Sequence, residues 1–299
     1  MLNLRNIKNM KNLTKIVFFL ACTFLFVACE QHVIEYDATE INDDTTAQFQ
    51  IFYMVQQSSS GTANTINKIE LNGQLLANET ASLSPYSTVP RPTTGQFYTT
   101  DPGTVNLKLY KGEVDNLSLT YDQNFELTAG KYSVIVYDVD KAPIITEHQV
   151  PYPTITTEFT GTTAWVQFYN ILHDSPGVPT ELKLQYQYQY TIDNETGDKS
   201  DWINVGNPVS FGEGTGWQPV TVNKTIEVDS GSARVDYRIR IIGEDGSDQG
   251  NLTINRSGSM REYGDWWTAR IGRVFQHMFV GNRTGSNTYY GRVRQIATL

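Results

Sequence analysis

Along much of this 299-residue chain, apolar and polar side chains alternate with a period of two. Val105, Leu107 and Leu109 are interleaved with Asn106, Lys108 and Tyr110, and Val235, Tyr237, Ile239 and Ile241 with polar neighbours. Successive side chains of an extended strand point to opposite faces, so this alternation predicts strands with one buried face. Clusters such as Asp101-Pro102-Gly103 and Glu244-Asp245-Gly246-Ser247 punctuate the strands with the residues that turns use. Long amphipathic helical patterns are absent. The pattern predicts an all-β chain of antiparallel sheets folded as β-sandwiches of the immunoglobulin-like kind.

The chain also repeats itself. Ala47–Val55 aligns without a gap on Ala164–Leu172, Ile69-Glu70-Leu71 parallels Leu182-Lys183-Leu184, and Phe125–Gly130 parallels Ile226–Gly231. Three matches in one order predict two tandem sandwiches, residues 47–150 and 162–299. A length of ~100 to 200 residues per domain gives the same count. Between them Pro151-Tyr152-Pro153 withholds two backbone donors from any continuous ladder, and the Thr-rich stretch 154–163 serves as linker or edge strand.

One segment departs from the β pattern. Arg5, Lys8, Lys11 and Lys15 precede or open the apolar run Ile16 to Ala28, which is shorter than the ~20 residues a spanning helix needs. The run ends in Leu25-Phe26-Val27-Ala28-Cys29, a small residue directly before a cysteine. Basic, then apolar, then cysteine is the order of a lipoprotein export signal, and the segment looks like a lipobox with Phe26 where Leu is more usual. Residues 1–28 are therefore expected to be a cleaved signal peptide and Cys29 the site of lipidation. Two or more acyl chains, at ~0.8 kcal/mol per buried CH₂, hold a protein stably on a membrane. Residues 30–46, with six acids and no Lys or Arg, read as a solvated tether reaching at most ~55 Å when fully extended.

Removing the four basic residues of the signal takes the formal net charge from −9 to −13. A field of that sign repels phosphate backbones, so no nucleic acid partner is expected. Cys22 and Cys29 are the only cysteines, and the first lies inside the signal, so no disulfide supports the mature chain. Burial and strand pairing must suffice.

Several local features carry a resemblance. Asn170 in the opening strand of the second half, the Asp174-Ser175-Pro176 turn, the Gly-led strand Gly130-Lys131-Tyr132-Ser133-Val134 and the late strand ending Phe279-Val280-Gly281 resemble a β-sandwich repeat. That repeat is a domain of unknown function in lipoproteins of Bacteroidota and other bacteria, and the likeness covers most of residues 47–299. The first half departs most, since its opening strand lacks the Asn and the Asp-x-Pro turn. The resemblance implies the fold and a cell-envelope, outer-membrane location; it transfers no catalytic residues.

Candidate chemistry is sparse. His32, His148, His173 and His277 are scattered singly, and the contiguous His173-Asp174-Ser175 suits a turn better than a triad, because neighbours in an extended loop point apart. No histidine pair has helical spacing for zinc and no Gly-rich phosphate loop occurs, so neither metal, cofactor nor enzymatic activity is expected. Asp193–Asp198 and Glu244–Asp248 concentrate oxygen ligands without matching the twelve-residue calcium loop, and are expected to be hairpin turns. Tyr186, Tyr188 and Tyr190 continue the face of Leu182 and Leu184 and read as an inner sandwich face, although such a row could also stack sugar rings.

Trp266 and Trp267 differ, because adjacent strand residues face opposite ways and one core cannot easily bury both. With Trp202 and Trp217, beside Gly-rich loops, they are the candidate platform for a carbohydrate or protein partner. Between Arg256 and Arg294 lie seven arginines, no lysine and two acids; Arg270 and Arg273 follow the tryptophan pair and join the candidate surface. Arg234, Arg238 and Arg240 share a strand face with Asp236, a row that could meet acidic sugars, lipid head groups or an acidic partner. The expectation is a membrane-anchored envelope lipoprotein that binds glycan or glycoprotein. The alternative is a structural or adhesive spacer contacting another envelope protein.

Overall fold

A strand with one apolar face is stable only when its backbone is paired and that face is covered. The computed structural model shows how the chain meets both needs over residues 44–57, 64–90, 96–148, 162–225, 229–285 and 289–298. The signal segment, Cys29, most of the tether and Pro151-Tyr152-Pro153 lie outside the described residues. The described chain is all-β, with one 3₁₀ turn at Glu79–Ala81.

The first half runs β1 (Ala47–Tyr53), β2 (Ile66–Leu71), β3 (Gln74–Ala77), β4 (Ser87–Val89), β5 (Tyr98–Thr100), β6 (Gly103–Glu113), β7 (Asn116–Leu127), β8 (Gly130–Val136) and β9 (Ile144–Glu147). One sheet has the order β4-β1-β8-β9, with β5 also on β1; its partner has the order β3-β2-β6-β7. Phe49, Ile51, Leu107, Leu109 and Val134 close the core between them.

The second half runs β10 (Thr163–Ser175), β11 (Val178–Pro179), β12 (Lys183–Tyr190), β13 (Ile203–Asn204), β14 (Gln218–Thr221), β15 (Ser232–Ile242), β16 (Asp248–Asn251), β17 (Thr253–Arg256), β18 (Ser259–Glu262), β19 (Gly264–Arg270), β20 (Val274–Asn282) and β21 (Arg292–Ala297). Its sheets are β11-β10-β20-β21 with β14 on β10, and β13-β12-β15-β16 with β19 on β15. The shared plan is plain: β1, β2, β6 and β8 correspond to β10, β12, β15 and β20.

Two pairings in this plan are parallel, β1 with β8 and β10 with β20, whereas every other strand pair is antiparallel. The expected all-β fold of antiparallel sandwich sheets stands, and strand direction is corrected at these two pairs. Period-two alternation places faces and says nothing of a neighbour's direction. The third internal match is corrected too. Gly130 opens β8, but Gly231 precedes β15, the counterpart of β6. The true counterpart of Gly130 is the turn before β20: the Gly130 N–H donates to the Thr46 carbonyl at 3.1 Å, and the Gly272 N–H to the Thr163 carbonyl at 2.9 Å.

In the second half the counterpart of β7 is interrupted. β16 and β19 lie end to end along β15, with Asn251 opposite Arg240 and Gly264 opposite Arg238. The hairpin β17–β18 is inserted between them, anchored by buried Leu252, Ile254 and Tyr263.

The halves are not strung out on their linker. Phe52, Met54, Tyr86 and Ile135 of the first half pack with Tyr169, Ile171, Met278, Val280 and Ile296 of the second. The β1 and β10 sheets therefore meet face to face, giving four stacked layers, with the sheets of β2 and β12 outermost. Gly281 serves this junction side of the second half at φ +97°. A Cβ there would lie 2.7 Å from the carbonyl oxygens of Tyr289 and Tyr290, both backbone atoms. Gly281→Ala is expected to lower stability by ~1 to 3 kcal/mol, seen as an earlier urea midpoint; an unchanged midpoint would contradict this placement.

Candidate functional site

The outermost sheet of the second half turns one face inward and leaves the other uncovered by any sheet. Inward go Leu184, Tyr186, Tyr188, Val235, Tyr237, Ile239, Trp267 and Ala269, all buried in the core. Outward go the alternate positions, and their cross-strand register sets them in rows. Asn204, Gln187 and Arg238 share one row, with Gly264 at its end; Gln189, Asp236 and Trp266 share the next. Gly264 contributes no side chain, which leaves the flank of Trp266 open along β19.

Hydrogen bonds lock these rows. The Gln187 amide donates to Asn204 Oδ1 at 2.8 Å, and Arg238 Nε donates to Gln187 Oε1 at 2.8 Å. The Arg238 guanidinium lies over the Trp202 ring, 4.3 Å from its centroid. One row away, Asp236 accepts from Arg234 Nε at 2.8 Å and from Lys199. Partial burial works against ionisation of Asp236, but the Lys199 and Arg234 charges prevail and hold its carboxyl below the usual carboxylate range. The Arg234 guanidinium in turn lies 5.0 Å from the centroid of the Trp266 ring. Arg240 is committed to Asp248, through Nε at 3.0 and 3.1 Å and Nη2 at 2.8 Å, and to Asn251 at 2.7 Å.

The arrangement is a fixed polar strip between two indoles. Trp266 is 47 % exposed and Trp202 partly so. Trp202 flanks β13 and Trp266 lies on β19, three strand spacings of ~4.8 Å apart, so about 14 Å separates their backbones, room for an oligosaccharide. Indole faces stack on the apolar faces of sugar rings, while prepositioned amide, guanidinium and carboxylate groups exchange hydrogen bonds with hydroxyls at little cost in side-chain ordering.

The six residues singled out from sequence separate in space. Trp202, Trp266 and Arg270 share the outward face, Arg270 being four residues beyond Trp266 and exposed. Arg273 is exposed in the turn between β19 and β20. Trp217 belongs elsewhere: its Nε1 donates to the Glu147 carbonyl at 3.0 Å and its ring lies 5.5 Å from that of His148, so it joins the two halves. Trp267 is removed from the binding surface, being 2 % exposed with its ring edge-on to Phe275 at 4.6 Å and His277 at 4.7 Å. The cause is register, because Trp267 pairs with Val235 on the inward side and Trp266 with Asp236 on the outward side. Sequence reasoning noted the Arg234–Asp236–Arg238 row but left it, with Gln187, Gln189 and Asn204, outside the site; continuing the alternation from β15 into β12 would have found them.

The three described histidines, His148, His173 and His277, occupy packed positions. His277 is wholly buried beside the Tyr186 hydroxyl, 2.9 Å from Nδ1, and burial lowers its pKa to about 3. Ser133 Oγ lies 2.8 Å from His148 Nε2, but Ser133 has no exposed surface and His148 Nδ1 has no partner, so the pair offers neither substrate access nor an orienting carboxylate. Asp174 pairs with Arg283 Nε at 2.5 Å and accepts from Thr180, which explains the His173-Asp174-Ser175 segment as a pinned turn. Asp193 Oδ1 accepts from the N–H groups of Glu195 and Thr196, and Asp245 Oδ1 from that of Ser247, the local bonds of Asx turns. Among the described residues no three His, Cys, Asp or Glu side chains gather as a metal would need.

Comparison with known proteins finds no protein-family model and no curated protein that matches the chain.

Proposed function

We propose that the protein is a lipid-anchored cell-envelope binding module whose ligand is a glycan, held on the outward face of the second half's outermost sheet. The observation that carries the reading is the strip of Gln187, Arg238 and Asp236, hydrogen-bonded in place and flanked by Trp202 and Trp266, each under a guanidinium. Two indoles bracket a polar strip whose side chains are already ordered, and an ordered side chain loses little entropy on binding. The basic, apolar and cysteine order ending at Cys29 supplies the anchor in this reading, and the acidic tether the reach.

The full-length protein, purified in detergent and applied to a glycan array, is expected to bind at least one oligosaccharide class saturably. An array blank at every concentration would remove the glycan reading. A second reading, a spacer in contact with another envelope protein, is favoured by the apolar junction that stiffens the two halves against one another. It requires that crosslinking in the intact envelope return one dominant protein partner, together with a blank array.

A further inference from the structure

On the other side of β19 from the platform, the sandwich edge holds a second feature. Arg256, from the inserted hairpin, and Arg292 and Arg294, from β21, line a cavity of about 380 Å³ with Asp265, Tyr290 and Gln295. Three arginines and one aspartate thus border one space. None of the three arginines forms an ion pair among the described residues, although Arg234, Arg240 and Arg283 all do. Arg256 Nε and Arg294 Nε are buried and meet no acceptor among the described residues.

Aromatic rings stand beside two of the three. The Arg256 guanidinium lies 5.3 Å from the Tyr263 ring centroid and 5.9 Å from that of Tyr290, and the Arg294 guanidinium 5.3 Å from that of Tyr86. A planar fork of N–H donors matches the oxygens of a carboxylate or sulfate. Burial, added to by the neighbouring Arg292 charge, lowers the Arg294 pKa to about 10, the mark of a cation lacking a counter-charge. Buried donors without acceptors are few in native proteins, and an ion or water is a common missing partner.

We infer that the Arg256–Arg292–Arg294 cavity is an oxyanion site, taking a sulfate ester or carboxylate borne by the glycan that lies on the platform. The two sites are linked through β19: Asp265 lines the cavity, Trp266 is the next residue, and Gln295, also in the lining, donates to the Trp266 carbonyl at 2.9 Å. The glycan part of this inference rests on the platform reading; the anion part stands without it.

Titration calorimetry of the full-length protein in detergent with sodium sulfate, at ionic strength held constant by sodium chloride, tests the anion part. Saturable sulfate binding is expected, weakened at least about tenfold in Arg292→Gln and in Arg256→Gln and unchanged in Arg261→Gln, whose side chain is exposed on β18 outside the cavity. Circular dichroism confirms that each variant is folded, and Arg292→Lys, which keeps the charge and loses the fork, is expected to fall between. Sulfate heats equal to those of chloride, or equal binding in folded Arg292→Gln, overturn the site. Sulfated, uronate and neutral oligosaccharides then separate the sources: the favoured acidic class should lose affinity in both Arg292→Gln and Trp266→Ala. If inorganic sulfate binds at these arginines but acidic oligosaccharides bind no better than neutral ones, the glycan part fails and the anion site stands.

Discussion

Trp267→Ala is expected to destabilise the second half by about 3 to 5 kcal/mol, the cost of emptying a large aromatic site in a packed core. Trp267 is enclosed by Phe275 and His277 and belongs to the main core of that half, so its removal opens a cavity between two sheets. Trp266→Ala, one residue away, should shift stability by no more than ~0.5 to 1 kcal/mol, since it removes an exposed side chain and one cation–π contact. Trp267→Phe should cost less than alanine, because it refills most of the volume and deletes an indole N–H that has no partner. Urea unfolding of the three variants checks the order. Equal midpoints for Trp266→Ala and Trp267→Ala would mean that the register of β19 on β15 is shifted by one.

Acid should unfold the protein earlier than its carboxylates alone require. His277 is buried without charge, and its pKa of about 3 lies far below the ordinary 6.5. As pH falls through 6.5 the unfolded chain takes up this proton and the folded chain does not, so the unfolded state gains. The contribution of His277 is fully present above pH 6.5 and is lost progressively down to about pH 3. Between pH 6.5 and 4.5 the loss is on the order of 2 to 3 kcal/mol, at 1.36 kcal/mol per unit. His148, lowered to about 4 by burial with a smaller effect of Lys131, and His173, lowered chiefly by burial, act in the same direction. His277→Gln keeps a hydrogen-bonding side chain beside Tyr186 and cannot titrate, so its stability should vary less with pH over this window even if it is lower at pH 7. Parallel curves for the two proteins would show that His277 is solvated or paired in the folded state.

How much of this was legible beforehand follows from what alternation encodes. In β6 and β15 every second residue is apolar, and both the buried and outward faces could be read directly. β1 and β10 read otherwise, as Ala-Gln-Phe-Gln-Ile-Phe-Tyr and Thr-Ala-Trp-Val-Gln-Phe-Tyr-Asn-Ile-Leu-His-Asp-Ser, because the junction covers their second face and both sides are buried. Their near-continuous apolar runs were visible, but not what covered them. The hairpin β17–β18 is not announced by alternation, because β18 is exposed at every position and only Leu252, Ile254 and Tyr263 of this region reach the core. Of the candidate surface, the opposed faces of Trp266 and Trp267 follow from adjacency alone, whereas which one is outward depends on pairing with β15. Trp217 was out of reach, since its partner Glu147 lies 70 residues away across the junction. The arginine cavity joins β21 to an inserted hairpin, and no local spacing announces that meeting.

In the proposed function a glycan rests against Trp266 and the hydrogen-bonded strip beside it. Isothermal titration of the best array glycan into the wild type and Trp266→Ala measures this directly, because the substitution leaves the core untouched. At least about a tenfold rise in Kd is the predicted result, the loss of a stacking contact worth ~1.4 kcal/mol. Identical dissociation constants in the two proteins would contradict it and send the ligand to another surface.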